Sequence, residues 1–109
     1  MVINQKRWYT IRIAAELTGL HEQSLRMYER RGLIKPQRTR GNIRLFSEDD
    51  LEQVRFIRRL VDELGVNLAG VEVILTMRKQ LLEIQQRLEQ LEQSEQQPEH
   101  SLAVKELKG

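Results

Sequence analysis

The chain has 109 residues, 31% of them charged and 5% aromatic, with no cysteine. That composition fits one small core with a solvated extension and excludes a disulfide framework and a thiolate metal site. The net charge of +2 hides a division, because residues 1–47 hold ten Lys/Arg against three Glu while residues 48–109 hold eight bases against thirteen acids. A basic front joined to an acidic back predicts that only the front meets a polyanion.

Thr10 is the expected N-cap of a first helix, "IRIAAELTG", in which Ile11, Ala14, Ala15 and Leu17 form the apolar stripe and Gly19 supplies the stop. A tight connection at Gly19 and Leu20 leads to a second helix from about Glu22 to Arg31, ended by Gly32. Two short helices around a glycine-containing turn spell a helix-turn-helix. In "LIKPQRTRGNIRLFS", Pro36 opposes helix and "RGN" signals a turn, so a small β-hairpin is predicted with its tip at Arg40 to Asn42. Its second strand reads Ile43 in, Arg44 out and Leu45 in. "SEDDLEQVRFIRRLVDELG" begins with Ser47 and Asp50 at capping-box spacing and carries the stripe Leu51, Val54, Ile57, Leu60, Val61 and Leu64. From Leu68 a proline-free run to Gln97 spaces Ile74, Met77, Leu81, Ile84, Leu88 and Leu91 as a coiled-coil seam, which implies a partner helix. The tail, residues 98–109, has no such pattern and is expected to be poorly ordered.

The second helix carries the constellation of interest. Gln23, Arg26 and Arg30 share an outward face, with Tyr28 beside them, and an α-helix fits the major groove of duplex DNA. Arg26 suits guanine or a phosphate, Tyr28 a phosphate and Gln23 a base edge. Arg38, Arg40 and Arg44 of the hairpin form a charged wing beside it, suited to flanking phosphates or the minor groove. A solvated cationic face is the plainer interpretation of any such charge run, but the preceding turn and the basic hairpin together favour DNA.

"YTIRIAAELTGLHEQSLRMYERRGLIKP", "RTRGNIRLFSEDDLEQVRFIRRL" and "GVNLAGVEVIL" together resemble the winged-helix DNA-binding domain of the MerR family, from Tyr9 to about Leu75. Within it, the His21 turn, the "RTRG" wing and "GVNLAG" are most similar to the heat-shock repressors of the HspR type. The resemblance implies a mainly α fold: a winged helix-turn-helix with a β-hairpin wing over residues 1–67, then a dimerisation helix, residues 68–97, forming an antiparallel coiled coil. It implies a homodimer on inverted-repeat double-stranded DNA, contacted by Gln23, Ser24, Arg26, Tyr28, Arg40 and Arg44, with Arg12 and the turn residue His21 as further candidates. It also implies repression of chaperone and protease operons, with an Hsp70-type chaperone as a corepressor in some members. An activator that untwists its promoter, and a DNA-architectural or chaperone-adaptor module working through its acidic coil, are the rival readings. The wing departs from HspR-like wings, which are richer in Gly and Arg, at Asn42 and Ile43, and Arg12 stands where many family members carry a small residue.

Catalysis has no candidate: no Ser-His-Asp arrangement, P-loop or GxGxxG is present. His21 and His100 are too separated and too poor in neighbouring acids for a metal site, and no cofactor is expected. The acids of "SEDD" suit a helix dipole, and Trp8 and Tyr9 are expected to anchor the N-terminus on the core. No apolar run approaches the roughly 18–20 residues that span a bilayer, and the first residues lack a signal peptide's apolar centre, so a soluble, cytoplasmic protein is expected.

Overall fold

The computed structural model describes residues 6–95. The described residues fall into two compact units, divided between Glu72 and Val73, and the predicted tail from residue 98 lies outside the described residues. The first unit holds α1 (Ile11–Thr18), α2 (Glu22–Arg30), β1 (Gln37–Arg38), β2 (Arg44–Leu45) and α3 (Glu48–Arg58), which runs into a π-helical turn (Arg59–Glu63). The start of α4 (Leu68–Glu95) follows.

In α1, Ala14 and Thr18 are the buried residues, one turn apart, and Leu17 is 48% exposed. Ala14 of the expected stripe is therefore buried and Ile11 and Ala15 half-buried, while Thr18 takes the place expected of Leu17. Thr18 is accommodated there because its hydroxyl donates back to the Ala14 carbonyl at 2.8 Å, which satisfies its polar group inside the helix. Thr10 takes the extended N-cap conformation, but its side chain makes no capping bond. Gly19, at φ 74°, ends the helix in the left-handed conformation and donates to the Ala15 carbonyl.

Leu25 and Tyr28 turn the buried face of α2 to the core, and Gly32 reverses the chain at φ 76°. Leu33, Ile34 and Pro36 then pass through the interior. The Leu33 carbonyl is satisfied by Gln53 Nε2 of α3 at 2.7 Å.

β1 and β2 pair antiparallel, Gln37 with Leu45 and Arg38 with Arg44. The connecting turn is closed by Thr39 N–H to the Ile43 carbonyl and Asn42 N–H to the Thr39 carbonyl, both 2.9 Å. Asn42 adopts φ 65°, a conformation asparagine tolerates better than most residues. The expected alternation is out of phase: Ile43 is 56% exposed and Phe46 is fully buried. The reason is a second pairing, in which Tyr9 and Phe46 exchange backbone hydrogen bonds of 2.9 and 2.8 Å and lay Phe46 over the core. Tyr9 thus ties the N-terminal segment to the hairpin, and Trp8 beside it is 40% exposed.

Ser47 and Asp50 make the reciprocal capping box: Ser47 N–H donates to Asp50 Oδ2 at 2.8 Å and Asp50 N–H to Ser47 Oγ at 3.1 Å. Leu51, Val54, Ile57 and Leu60 are buried as the spacing predicts. Leu64 is not, at 70% exposure. The π-helical turn, with Leu64 N–H donating to the Arg59 carbonyl at 3.1 Å, inserts an extra residue into the turn and rotates Leu64 off the stripe.

Asn67 Oδ1 accepts from the Gly70 N–H at 2.8 Å and starts α4, whose Val71 is fully buried in the first unit. A Cβ on Gly70 would stand 2.8 Å from Val66 Cγ1, so "GVNLAG" is a close-packed corner that requires this glycine. In the second unit α4 continues as a helix in which Met77, Leu81, Ile84, Leu88 and Leu91 are each at least 55% exposed. The seam spacing is present on a helix with that face open. No described helix is long and apolar enough to cross a membrane.

Candidate nucleic-acid interface

The outward face of α2 follows from its inward one. With Leu25 buried, helical geometry carries Gln23, Arg26 and Arg30 to the other side, three and four residues apart. Gln23 and Arg30 are exposed, and Arg26 is partly exposed with Nη2 3.2 Å from Glu22 Oε1. Ser24 is half-buried, and its N–H donates to the His21 carbonyl at 3.0 Å in the first turn. His21 occupies the N-cap position with an exposed side chain that makes no capping bond. It borders a shallow depression at the α1–α2 turn that Arg12 also lines. Arg12 is exposed, 4.0 Å from Glu16.

Tyr28 is the correction to the predicted face. It is 5% exposed and packs in the core three residues after Leu25, on the same side of the helix. Burial, followed by the nearby Asp62 carboxylate, holds its hydroxyl pKa above the ordinary tyrosine value, with Arg58 opposing. Its place is structural: it sets the rotation of α2.

The wing arginines do not behave alike. Arg40 is exposed and has no ion pair among the described residues. Arg44 Nε donates to Glu29 Oε1 at 2.6 Å, and Arg38 Nη2 reaches the same carboxylate at 3.3 and 3.4 Å. Arg38 Nη1 also donates to the Asn42 carbonyl at 2.9 Å. α2 and the wing are therefore joined through one partly buried acid.

Two contributors were invisible to pattern reasoning. Glu29 reads in the sequence only as charge opposing the arginines around it, and the hairpin register, with Arg38 opposite Arg44, is what delivers both guanidinium groups to it. Arg58 of α3 donates through Nη1 to the Thr18 carbonyl at 2.7 Å, placing a cation on the C-terminal end of α1. No local spacing signals this bond, because its partners are 40 residues apart.

Among the described residues no group of three or more His, Cys, Asp or Glu is placed to hold a metal ion; His100 lies outside them. What the surface offers is an outward helix face carrying Gln23, Arg26 and Arg30, flanked by a basic hairpin.

Comparison with known proteins agrees with that geometry. Residues 9–78 match the MerR HTH family of regulatory proteins. The chain is 43% identical over 83 residues to a provisionally named heat shock protein HspR of Streptomyces coelicolor, covering 76% of this chain and 55% of that protein. It thus spans about half the length of the first curated relatives it matches. Among solved structures, HiNmlR, a MerR family regulator lacking the sensor domain and bound to promoter DNA, is similar in fold. It superposes with a TM-score of 0.60 at 24% identity, over 82% of this chain and 75% of that one. A MerR family transcriptional regulator from Bacillus cereus superposes with a TM-score of 0.56 at 27% identity, over 78% and 75%.

Proposed function

Since the chain belongs to the MerR HTH family of regulatory proteins, we propose that it is a DNA-binding transcriptional repressor of the HspR type, acting as a homodimer on an inverted-repeat operator. The observation that carries the DNA-reading part is the outward face of α2, where Gln23, Arg26 and Arg30 lie opposite the buried Leu25 and the basic wing is joined to the helix through Glu29. In the proposed complex α2 lies in the major groove, with Gln23 and Arg26 at base edges or phosphates, Ser24 and Arg30 on the backbone, and the wing along the flanking phosphates. Arg12 and His21 extend the surface from the α1–α2 turn. The homodimer is supported by the open seam of Met77, Leu81, Ile84, Leu88 and Leu91, which a second copy of α4 running antiparallel would cover. The HspR-type reading is supported by the 43% identity to the Streptomyces heat shock protein HspR.

Selection of bound sites from random duplex DNA is the decisive experiment. An enriched inverted repeat is the expected result, and binding without preference between the selected site and random duplex, at a stated salt concentration, would refute the proposal. On that operator Arg26→Ala should cost about 1–3 kcal/mol and relax specificity at one base pair of each half-site. In vitro transcription from the operator-bearing promoter separates repression from activation: the protein should lower transcript, and a rise would establish the promoter-untwisting alternative. Whether an Hsp70-type chaperone enhances operator occupancy is read in the same assay by adding it.

A further inference from the structure

The wing is a short structure with little of its own to hold it. Its strands are two residues each, and its turn depends on Asn42 in the left-handed conformation. What ties it to α2 is the carboxylate of Glu29, which takes Arg44 Nε at 2.6 Å and Arg38 Nη2 at 3.3 Å. Arg38 then passes the connection to the wing tip through its 2.9 Å bond to the Asn42 carbonyl. Glu29 and Arg44 are both largely shielded, with side-chain exposures of 21% and 23%, so this contact is less screened than a surface ion pair.

We propose that Glu29 is a positioning residue that fixes the wing against α2 and thereby sets how far an operator is preferred over random DNA. This rests on the DNA-reading proposed above. The carboxylate has two effects that act in the same direction. It removes one unit of charge from a basic face, which lowers the attraction to any phosphate backbone. It also holds two guanidinium groups in one arrangement, so that the wing meets DNA in register with the helix and without an ordering cost at the moment of binding. Without it, Arg38 and Arg44 are free to seek phosphates wherever they lie. Random duplex gains, and the operator loses the advantage of a pre-set wing.

The test compares the full chain with Glu29→Ala and Glu29→Gln on the selected operator and on random duplex across a salt series. Hydrogen exchange at the Thr39, Asn42 and Ile43 amides of the DNA-free protein is measured in parallel. For Glu29→Ala the expected results are faster exchange at those three amides with α3 unchanged, and a salt dependence steeper by about one to two released ions. The preference for operator over random duplex should fall by about tenfold or more. Glu29→Gln keeps an acceptor oxygen without the charge and should fall between the two. It also serves as the working variant if the alanine protein is not folded. Unchanged wing exchange in both variants overturns the proposal, as does an operator preference that stays within about twofold of the parent. A purely stabilising role would leave the salt slope of the folded variants where it was. If the parent chain itself shows no operator preference, the DNA reading fails, and the exchange arm still decides whether Glu29 holds the wing.

Discussion

The turn between α1 and α2 predicts a coupled pair of substitutions. Gly19 sits at φ 74°, and a Cβ there would stand 2.5 Å from Arg58 Nη1, the atom that donates to the Thr18 carbonyl at 2.7 Å. The guanidinium is the far end of a flexible side chain, so Gly19→Ala displaces it and loses the bond without distorting the core. Left-handed geometry costs an L-residue about 1–2 kcal/mol. A charged hydrogen bond to a helix-end carbonyl is worth about 1–2 kcal/mol at a site this exposed, and alanine's smaller unfolded-state entropy offsets about 0.4–1 kcal/mol. Gly19→Ala should therefore destabilise by about 2–3 kcal/mol and Arg58→Ala by about 1–2 kcal/mol. In the Arg58→Ala background only the conformational part remains, so the double variant should be about 1–2 kcal/mol better than additive. Urea unfolding of the four proteins, followed by circular dichroism at one protein concentration, measures this coupling. Additivity within about 0.5 kcal/mol would refute the reasoning, because it would mean that Gly19→Ala leaves the Arg58 bond to the Thr18 carbonyl intact.

Other substitutions isolate single features of the first unit. Ile57→Ala, at a fully buried position of α3, should cost about 2–4 kcal/mol in the same unfolding assay. Ser47→Ala removes one half of the capping box and should cost about 1 kcal/mol, with Asp50→Ala similar, and the pair less than the sum. Tyr28 predicts a pH effect. Its folded pKa is raised above the usual tyrosine value by burial, so above pH of about 10 the folded state retains a proton that the unfolded state releases. Stability contributed below that pH is then lost as pH rises through the folded value, and Tyr28→Phe should make the alkaline decline shallower. An identical alkaline profile for the two proteins would show that folding does not raise the Tyr28 pKa.

Helix positions were legible in the sequence because capping and stopping chemistry is local. Gly19 and Gly32 both take positive φ at the predicted stops, and Ser47 with Asp50 forms the capping box their spacing announces. The faces were less legible, because a face depends on what lies across from it. Thr18 displaces Leu17 from the core since a threonine can satisfy its hydroxyl on its own helix. Leu64 turns outward because a π-helical turn breaks the 3.6-residue period that placed it. An amphipathic tyrosine in a charged segment reads as part of the arginine face, yet Tyr28 lies on the Leu25 side of the helix, and burial wins. The candidate site shows the same limit. Arg26 and Arg30 could be placed outward from helical periodicity alone, whereas the junction of Arg38 and Arg44 on Glu29 needs the hairpin register.

That register also changes what the basic excess of the front half means. Residues 1–47 contain only three acids, Glu16, Glu22 and Glu29, and each lies within 4.0 Å of an arginine in the candidate interface: Arg12, Arg26, and Arg38 with Arg44. The first two are i,i+4 pairs on helix surfaces, each worth no more than about 0.5 kcal/mol. A phosphate approaching Arg12 or Arg26 meets little competition from so weak a partner. Glu29 is different in kind, since it is shared by two arginines and shielded from solvent. The interface therefore contains arginines that are free to answer a phosphate and arginines whose position is already set. In the proposed complex, Arg12, Arg30 and Arg40 supply the salt-dependent attraction to any duplex, and Arg26 adds the base contact. Arg38 and Arg44 instead fix where the wing arrives, and that division lets a small, strongly basic surface discriminate between sites instead of adhering to all of them.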